Sequence, residues 1–477
     1  MAQPSPAGGR RATPGGGRAL LWRVAGIGAL VAAAPAPAQL VLPPPGGDPR
    51  TIDFAKDPVL RFVSGGIGAD AFTAAIAAAV SRHPAVAEAA AGTDTARAQR
   101  REVRTGLFPT LSASLVGSQS LARDFVDTSA AVERLLPRGR TDAAINADQL
   151  VFDFGATGGR IAGASARVRA AAADADRAAT ATALSAITAW YQLVAYQALT
   201  ELSDAMIARH RAIVDDTGAR VAAGIGAGGD MARAEASLAD AIGEAAGSAR
   251  ALATARARYR ESFGAVPPAR ALYPASTGLA PSSLDATRLQ GLRSPDVAAA
   301  EALAAAARAE ARAARADALP RLSAGVGGTR FNVFGQGPNY DVRGQVVLRQ
   351  SLSTGGAEAA RIAAADARAR AAEAAAERVR AEAERDAEAA FGDARVLDAS
   401  AGALADAYRA NRRNRDITAE QFRLSRGTLI DLLQTEAEYS AAARALLLGS
   451  VERDLARYTL LARTGQLLRH FDITTRN

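Results

Sequence analysis

The chain has 477 residues and a formal net charge of +8, and alanine, arginine and acidic residues dominate its composition. The positive charge is spread along the chain without a concentrated basic stripe, which argues against a nucleic-acid-binding protein. Cysteine is absent, which excludes disulfides, cysteine-ligated metals and a lipid-modified N-terminal cysteine. The histidines, His83, His210 and His470, are far apart in the sequence. We therefore expect no metal site, no cofactor and no enzyme active site.

Residues 1–38 have the features of an export signal peptide. Arginines at positions 10, 11, 18 and 23 supply the positive start, and Leu21–Ala34 supplies an apolar core too short to span a bilayer comfortably. Ala36-Pro37-Ala38 provides the small-x-small cleavage pattern, so Gln39 would begin the mature chain. A membrane anchor is the alternative interpretation. Residues 39–68 contain a proline run and two glycine pairs, which predicts a loop or an extended segment.

The rest of the chain follows a pattern that occurs twice. A helix that begins near Asp70 and restarts at Pro84 would end at Gly106, and a matching helix opens at Ser294 and ends at Leu319. Each is followed by two strands, a long helix and a shorter return helix, so we predict two similar halves. The predicted bounds are 69–264 for repeat 1, 265–293 for the linker, 294–464 for repeat 2 and 465–477 for the C-terminal tail.

Between each short helix and the following long helix, the sequence alternates with a period of two. In the clearest case Val342 and Val346 share one face, while Asp341 and Arg343 share the other. A strand that is apolar on one face and charged on the other fits a sheet between two different media. Four strands cannot close a barrel in lipid, so further chains must complete it, and three chains would give twelve strands. The predicted strands are 110–125, 141–153, 321–334 and 340–352.

The long helices are predicted from a segment, 155–238, that recurs 201 positions later without a gap. Each copy holds a proline-free, alanine-rich run of about 66 residues, which would make a helix roughly 100 Å long. Such helices are much longer than those of globular domains and too charged to lie in lipid. We expect Trp190 and its counterpart Phe391 to be packing residues. The predicted long helices are 156–223 and 357–424, and the return helices are 229–263 and 428–464.

The turn after the first long helix carries a motif with a second interpretation. Residues 224–229 match the dinucleotide fingerprint G-x-G-x-x-G, but they follow a helix instead of a strand. The second half keeps the turn but not the full set of these glycines, so we do not expect a nucleotide site. Asp230 and Asp431 lie just after the two turns, where each is either a charge favoured by the helix dipole or a charge in a pore.

The order, spacing and duplication of these features resemble the TolC family of outer-membrane efflux and secretion ducts, over about residues 69–468. The resemblance implies an α+β membrane protein in which long antiparallel α-helical hairpins form a periplasmic α-barrel. Four β-strands per chain would contribute to a trimeric, 12-stranded outer-membrane β-barrel, and residues 265–293 would belong to an equatorial belt. The features that carry it are the stops Leu107-Phe108-Pro109-Thr110-Leu111 and Ala318-Leu319-Pro320-Arg321-Leu322, the strand ending at 149–155, and the turn and helix start at 424–434.

The resemblance also implies roles for the two turns. Asp431 occupies the position of an acidic constriction, with Asp230 as its counterpart in the first half. The second acidic position, one helical turn on, is Gln434 here, which weakens the anionic ring. An arginine that braces the closed state in the family is replaced by Gly427, beside which Arg426 is the candidate substitute. The residues implied in docking a periplasmic adaptor are those of the turns: Gly224, Ile225, Gly226, Leu424, Ser425, Arg426 and Gly427.

The implied function is an exit duct that passively conducts substrate from a periplasmic adaptor and an inner-membrane ABC or RND transporter to the exterior. The duct would be a homotrimer in the lipid of a Gram-negative outer membrane, with a periplasmic extension. The missing lipid-anchor cysteine and the ending at 460–468 favour the type I protein-secretion branch. A drug or metal efflux duct of a tripartite pump is the first alternative, and a periplasmic coiled-coil scaffold without a pore is the alternative of another class.

Overall fold

The computed structural model describes residue 45 and residues 52–64, 68–122, 139–274, 283–335, 339–351 and 354–475. The predicted signal peptide, residues 1–38, lies outside this part of the chain. The described residues form ten α-helices and four β-strands. The first half holds α1 (Pro58–Val63), α2 (Ala69–Arg82), α3 (Pro84–Thr105), β1 (Thr110–Gln119), β2 (Gly139–Phe152), α4 (Ala156–Ala222) and α5 (Gly228–Phe263). The second half holds α6 (Leu284–Gly291), α7 (Pro295–Asp317), β3 (Arg321–Arg330), β4 (Tyr340–Arg349), α8 (Ala357–Arg423), α9 (Leu429–Arg463) and α10 (Leu467–His470).

The internal repeat predicted from the sequence is confirmed by the long helices. Helices α4 and α8 each have 67 residues, and they begin 201 positions apart, at Ala156 and Ala357. Each is followed by a return helix, so the chain contains two long helical hairpins. We call α4–α5 hairpin 1 and α8–α9 hairpin 2. All four predicted hairpin helices are present, and each observed bound differs from the predicted one by at most one residue.

The strands end earlier than the alternating pattern predicted. The last paired residues are Gln119 with Gly139 and Arg330 with Tyr340. Residues 331–334, predicted as strand, form a turn in which Asn332 has a φ of +51°. Likewise, residues 120–122 and 350–351 are not strand, while β2 starts two residues before its predicted start. Residues 123–125 and 352, also predicted as strand, lie outside the described residues. The alternation of apolar and polar residues in the sequence therefore extends beyond the residues that pair in the sheet.

Short helices lie in three segments for which no helix was predicted: the N-terminal loop, the linker and the C-terminal tail. In the segment predicted as a loop at 39–68, a 3-10 turn and α1 begin at the capping residues Asp53 and Asp57. Helix α6 lies in the predicted linker, where Ser283 caps it, and α10 lies in the predicted tail. The aspartate and serine side chains bond the first backbone N–H groups of their helices, which the proline and glycine content of these segments obscured.

Each long helix begins at a glycine that turns the chain out of the sheet. Gly155 and Gly356 have φ values of +88° and +74°, in the left-handed region that favours glycine. In the first half Asp153 supports the turn, because its carboxylate accepts from the backbone N–H of Gly155 at 3.1 Å and of Thr157 at 2.7 Å. Both long helices therefore begin directly after a glycine in the left-handed conformation.

The four strands form one antiparallel sheet in the order β1-β2-β3-β4. One face is apolar and uncovered: Leu111 is 75% exposed and Val346 is 73% exposed. Within the described chain, β1 and β4 each pair with one strand, so both edges of the sheet are open. The opposite face is polar, as predicted, and carries Arg140, Asp142, Asn146, Asp148, Asp341, Arg343, Gln345 and Arg349.

The helices pack around α4 and α8. Helix α4 contacts α3, α5 and α7, and α8 contacts α7 and α9. Near its middle, α4 carries the fully buried Tyr191, whose ring lies 5.5 Å from that of Tyr273 in the linker and 6.0 Å from that of Phe72 in α2. Trp190 is a packing residue, since its indole N–H donates to the Leu272 carbonyl at 3.2 Å. An aromatic cluster thus binds the linker to the long helix.

In the part of the chain that the structure describes, no helix is both long enough and apolar enough to cross a bilayer.

Candidate functional site

The turn of hairpin 1 is a tight helix-ending turn. Gly224 has a φ of +75°, and the Arg220 carbonyl accepts from the backbone N–H of Ile225 at 2.9 Å and of Gly226 at 3.2 Å. This pattern closes the last turn of α4. The glycines of the dinucleotide-like motif therefore form a connection between two helices, which supports the expectation that they bind no nucleotide. Ile225 is 74% exposed at the end of the turn.

The turn of hairpin 2 has the same backbone course with a serine at its centre. Ser425 has a φ of +58°, and the Arg426 N–H donates to the Gln421 carbonyl at 2.8 Å. A serine in the left-handed region is strained, because its Cβ lies close to the following carbonyl. At Gly427, an added Cβ would lie 3.3 Å from the Phe422 nitrogen, so there is little room for a side chain. The sequence-predicted turn residues of both halves are therefore brought into equivalent positions.

Asp431 lies in the first turn of α9, and Thr428 is the N-cap residue of that helix. The Thr428 hydroxyl accepts from the Asp431 backbone N–H at 3.2 Å and donates to the Asp431 carboxylate at 2.7 Å. The two residues therefore bond each other in both directions and start the helix. The carboxylate is still exposed to solvent. Both sequence interpretations of Asp431, a helix-start charge and a charge available to a pore, are thus compatible with its position.

Asp230 occupies the same position in α5 but has different partners. Ala227 stands where hairpin 2 has Thr428, so α5 has no side-chain cap. The Asp230 carboxylate lies 3.6 Å from the Arg233 guanidinium one turn along the helix, with both groups partly exposed. Its charge is therefore partly compensated by a neighbouring cation, unlike that of Asp431.

Gln434 is exposed on α9, on the same face as Asp431. Its side-chain amide donates to the Glu438 carboxylate at 2.9 Å. Residues 431, 434 and 438 are separated by three and four positions, which places them on one helix face. Glu438 was missed by the sequence analysis, although this spacing could have identified it. The carboxylate that Gln434 lacks is thus supplied one turn further along the helix.

Two arginines of α4 connect hairpin 1 to hairpin 2 near the turns, and the sequence analysis missed both. Arg220 donates to the Phe422 carbonyl at 2.9 Å, and its guanidinium lies 4.3 Å from the centre of the Phe422 ring. Further from the turns, Arg209 donates to Glu436 of α9 at 2.7 Å. Glu436 is fully buried, so this ion pair is shielded from solvent. These contacts join residues that are more than 200 positions apart, which no local pattern could reveal.

Beside the Arg209–Glu436 pair, His210 lies buried and its imidazole Nδ1 is 3.2 Å from the Ser237 hydroxyl of α5. Burial lowers the pKa of His210 below its ordinary value of 6.5, although the Glu436 carboxylate acts in the opposite direction. The histidine is therefore neutral at neutral pH and links the two helices of hairpin 1.

A groove of about 600 Å³ runs between α4 and α8 just before the turns. Charged side chains of both signs line it, together with the apolar Ile213 and Phe422. Its charged lining residues include Arg209, Asp216, Arg220, Asp416, Glu420 and Arg423. The two hairpins are thus held together by specific contacts on either side of an accessible depression.

Comparison with known proteins identifies the fold and the family. Residues 75–265 and 290–466, more than half of the chain, match the family described as outer membrane efflux protein. The resemblance to the TolC family is therefore confirmed. A search of curated proteins found no match.

Solved outer-membrane channels have the same fold as this chain. The channel OprN has 23% identity and a TM-score of 0.72, covering 82% of this chain and 89% of its own. VceC from Vibrio cholerae has 20% identity and a TM-score of 0.71, and the match covers 82% of this chain and 95% of VceC. CmeC from Campylobacter jejuni has 13% identity and a TM-score of 0.74, and the match covers 90% of this chain and 95% of CmeC.

The family consists of transport ducts that work as trimeric outer-membrane channels of tripartite pumps, together with adaptors and inner-membrane transporters. The protein is accordingly located in the outer membrane with a periplasmic extension. By its sequence match, its two helical hairpins and its four-stranded sheet, the chain belongs to the outer membrane efflux protein family.

Proposed function

We propose that the protein is the passive exit duct of a tripartite export machine, with its two helix turns at the periplasmic end. The observation that carries this proposal is the sheet, which has an uncovered apolar face, a polar opposite face and two open edges. An open edge in lipid would leave unpaired backbone groups, so copies of the chain must complete the sheet. The polar face then lines a water-filled lumen that continues into the helical hairpins.

We assign the lining of the narrow end to the exposed face of α9 that carries Asp431, Gln434 and Glu438. Thr428 holds the Asp431 carboxylate in one orientation, and Gln434 does the same for Glu438. In a trimer, each carboxylate would occur three times around the axis and would favour cations. Asp230 contributes less to this lining, since Arg233 lies within 3.6 Å of it.

We assign adaptor docking to the two turns, 223–227 and 424–428, and to the groove beside them. Ile225 is 74% exposed and Leu424 is 51% exposed, so both offer apolar surface that a partner would cover. The mixed charges of the groove provide polar contacts around these apolar side chains. Gly226 and Gly427 have little room for a Cβ against the preceding helix turn, which keeps the two turns compact.

For the cargo, we propose small-molecule efflux, in keeping with the family description. Type I protein secretion is the second candidate, supported by the cysteine-free sequence and by the C-terminal ending at residues 460–468. A host strain that lacks the gene for this protein distinguishes small-molecule efflux from type I protein secretion. Retention of a fluorescent efflux dye with unchanged secreted proteins supports efflux, while loss of a secreted protein with normal dye export supports secretion.

The duct itself is tested on the purified protein. We expect heat-modifiable trimers in detergent extracts of the outer membrane and discrete ion-conducting steps when these trimers are added to planar lipid bilayers. A chain found only in the soluble periplasmic fraction, or a trimer that never conducts, would contradict the proposal and support the scaffold alternative.

A further inference from the structure

Residues 52–64, predicted as a loop, are packed deeply against both hairpins. We call this segment the N-terminal strap. Val59 is fully buried within an apolar cluster, and Asp57 is 1% exposed. The cluster is formed by α4, α8 and α9, and it contains Val59, Ala198, Leu199, Leu202, Met206, Tyr408, Tyr439, Ala443, Leu446 and Leu447. The strap therefore touches hairpin 1 and hairpin 2 at the same time.

Asp57 is the polar centre of this contact. Its carboxylate caps α1 by accepting from the backbone N–H groups of Val59 at 2.9 Å and Leu60 at 3.0 Å. The same carboxylate accepts from the Tyr408 hydroxyl, at 3.0 Å to each oxygen, and from the Arg412 guanidinium. Burial raises the pKa of Tyr408, so its hydroxyl remains protonated and donates. One carboxylate thus joins the strap to α8 through two side chains.

Both ends of the strap make aromatic contacts. The Phe54 ring lies 5.6 Å from the Arg412 guanidinium and 5.0 Å from that of Arg413. At the other end, the Phe62 ring packs edge-on against Tyr273 of the linker at 5.8 Å. The Tyr273 hydroxyl in turn donates to the buried Asp454 of α9 at 2.8 Å. The strap is therefore fixed on two sides of its buried centre.

We propose that the N-terminal strap is a built-in clamp that holds hairpin 2 against α4 and so keeps the turn end of the duct closed. A shift of the α8–α9 pair away from α4 would withdraw Tyr408 and Arg412 from Asp57 or pull the strap off the α4 surface. The first movement leaves the buried Asp57 carboxylate without its partners on α8, which is strongly unfavourable. The second exposes the apolar cluster around Val59 to water. The clamp rests on the proposed duct function and adds a segment outside the hairpins to the control of opening.

The strap contains its own matched control. Asp53 is also a helix-capping aspartate, but it is exposed and its partners, Ala55 and Lys56, are local. Asp57→Asn removes the charge that pairs with Arg412 while keeping an oxygen for the cap, and Asp53→Asn makes the same chemical change without touching a hairpin. A general effect of altering the strap would appear in both variants, whereas the clamp predicts an effect in Asp57→Asn alone.

The experiment compares wild-type, Asp57→Asn and Asp53→Asn trimers in planar lipid bilayers. We expect Asp57→Asn to raise the ratio of open to closed time by about tenfold, which corresponds to about 1.4 kcal/mol, and Asp53→Asn to match the wild type. If Asp57→Asn does not form trimers, the same ratio is measured for Phe54→Ala and is again expected to rise. This substitution weakens the strap's contact with α8 without leaving a buried charge. A wild-type ratio in every variant that forms trimers would overturn the clamp.

A second readout follows the turns directly. The natural chain has no cysteine, so Ile225→Cys provides a single site for a spin label. We expect longer label-to-label distances within the trimer when Asp57→Asn is added, and unchanged distances when Asp53→Asn is added. Unchanged distances in both would overturn the clamp. Failure of the wild type to conduct at all would instead contradict the proposed duct, so the two failures are distinguishable.

Discussion

Arg209 of α4 donates to Glu436 of α9 at 2.7 Å, and the glutamate is fully buried. The pair connects the two hairpins, and Arg415 of α8 lies 3.8 Å from the same carboxylate. The long helices are otherwise rich in exposed ion pairs, which contribute little to stability. This buried pair is different, because removing Arg209 leaves the buried Glu436 carboxylate with only the more distant Arg415 to compensate its charge.

We therefore predict that Arg209→Gln destabilises the trimer by about 3 kcal/mol, the lower end expected for breaking a buried pair, since Arg415 remains nearby. The measurement is the thermal unfolding temperature of the purified trimer. Arg444→Gln serves as the control, because Arg444 forms an exposed pair with Glu244 of α5 at 2.5 Å. Equal shifts in the two variants would contradict the special role of the buried pair.

The two turns allow a second prediction, because Ser425 and Gly224 are equivalent positions. Ser425→Gly should stabilise hairpin 2 by about 0.5–1 kcal/mol, since glycine adopts the left-handed conformation without steric cost. Gly224→Ser should destabilise hairpin 1, although open space around Gly224 leaves room for the side chain. Opposite shifts in thermal unfolding temperature are expected, and shifts of the same sign would show that backbone strain does not control these turns.

The hairpins could be predicted from the sequence, because an ungapped repeat and an uninterrupted alanine-rich run determine a helix over its whole length. The end points were accurate to one residue, since Gly155, Gly224 and their counterparts mark where the backbone must turn. The strap could not be predicted in this way. Asp57 and Arg412 are 355 positions apart, and their contact depends on tertiary packing that no local pattern encodes.

At the candidate site, sequence reasoning found Asp431 but could not distinguish a charge favoured by the helix dipole from a charge in a pore. The structure shows the cap through Thr428, and it leaves the carboxylate exposed. Glu438 lies one helical turn beyond Gln434, outside the two positions for which the family resemblance implies an acidic residue. A search of the same helix face at spacings of three and four would have reached it.

The proposed anionic lining leads to a third prediction. Asp431→Asn and Glu438→Gln should each lower the preference of the open trimer for cations, because each removes three carboxylates from the proposed lining. The measurement is the reversal potential under a salt gradient in planar bilayers. Thr428→Ala is the control, since it removes the cap, at a cost of about 1 kcal/mol, but keeps the carboxylate. If Asp431→Asn keeps the wild-type reversal potential, Asp431 acts only as a charge at the start of α9.

The buried histidine leads to a fourth prediction, on the pH dependence of stability. Burial holds the pKa of His210 below its ordinary value of 6.5, so the unfolded chain binds the proton more readily than the folded chain. The contribution of His210 to stability is therefore complete above pH 6.5 and is lost as the pH falls below 6.5 towards the folded pKa. His470 is also held below its ordinary value by burial and contributes with the same sign.

We expect His210→Gln to reduce the loss of thermal stability between about pH 7.5 and about pH 5.5, because the glutamine side chain does not titrate. His470→Gln should remove a further part of the slope, and the double variant should be the flattest of the series. Glutamine at position 210 can still reach the Ser237 hydroxyl, so the link between α4 and α5 need not be lost with the proton. A slope in His210→Gln as steep as that of the wild type would show that the imidazole is not shielded from solvent in the assembled duct, and that other groups set its acid sensitivity.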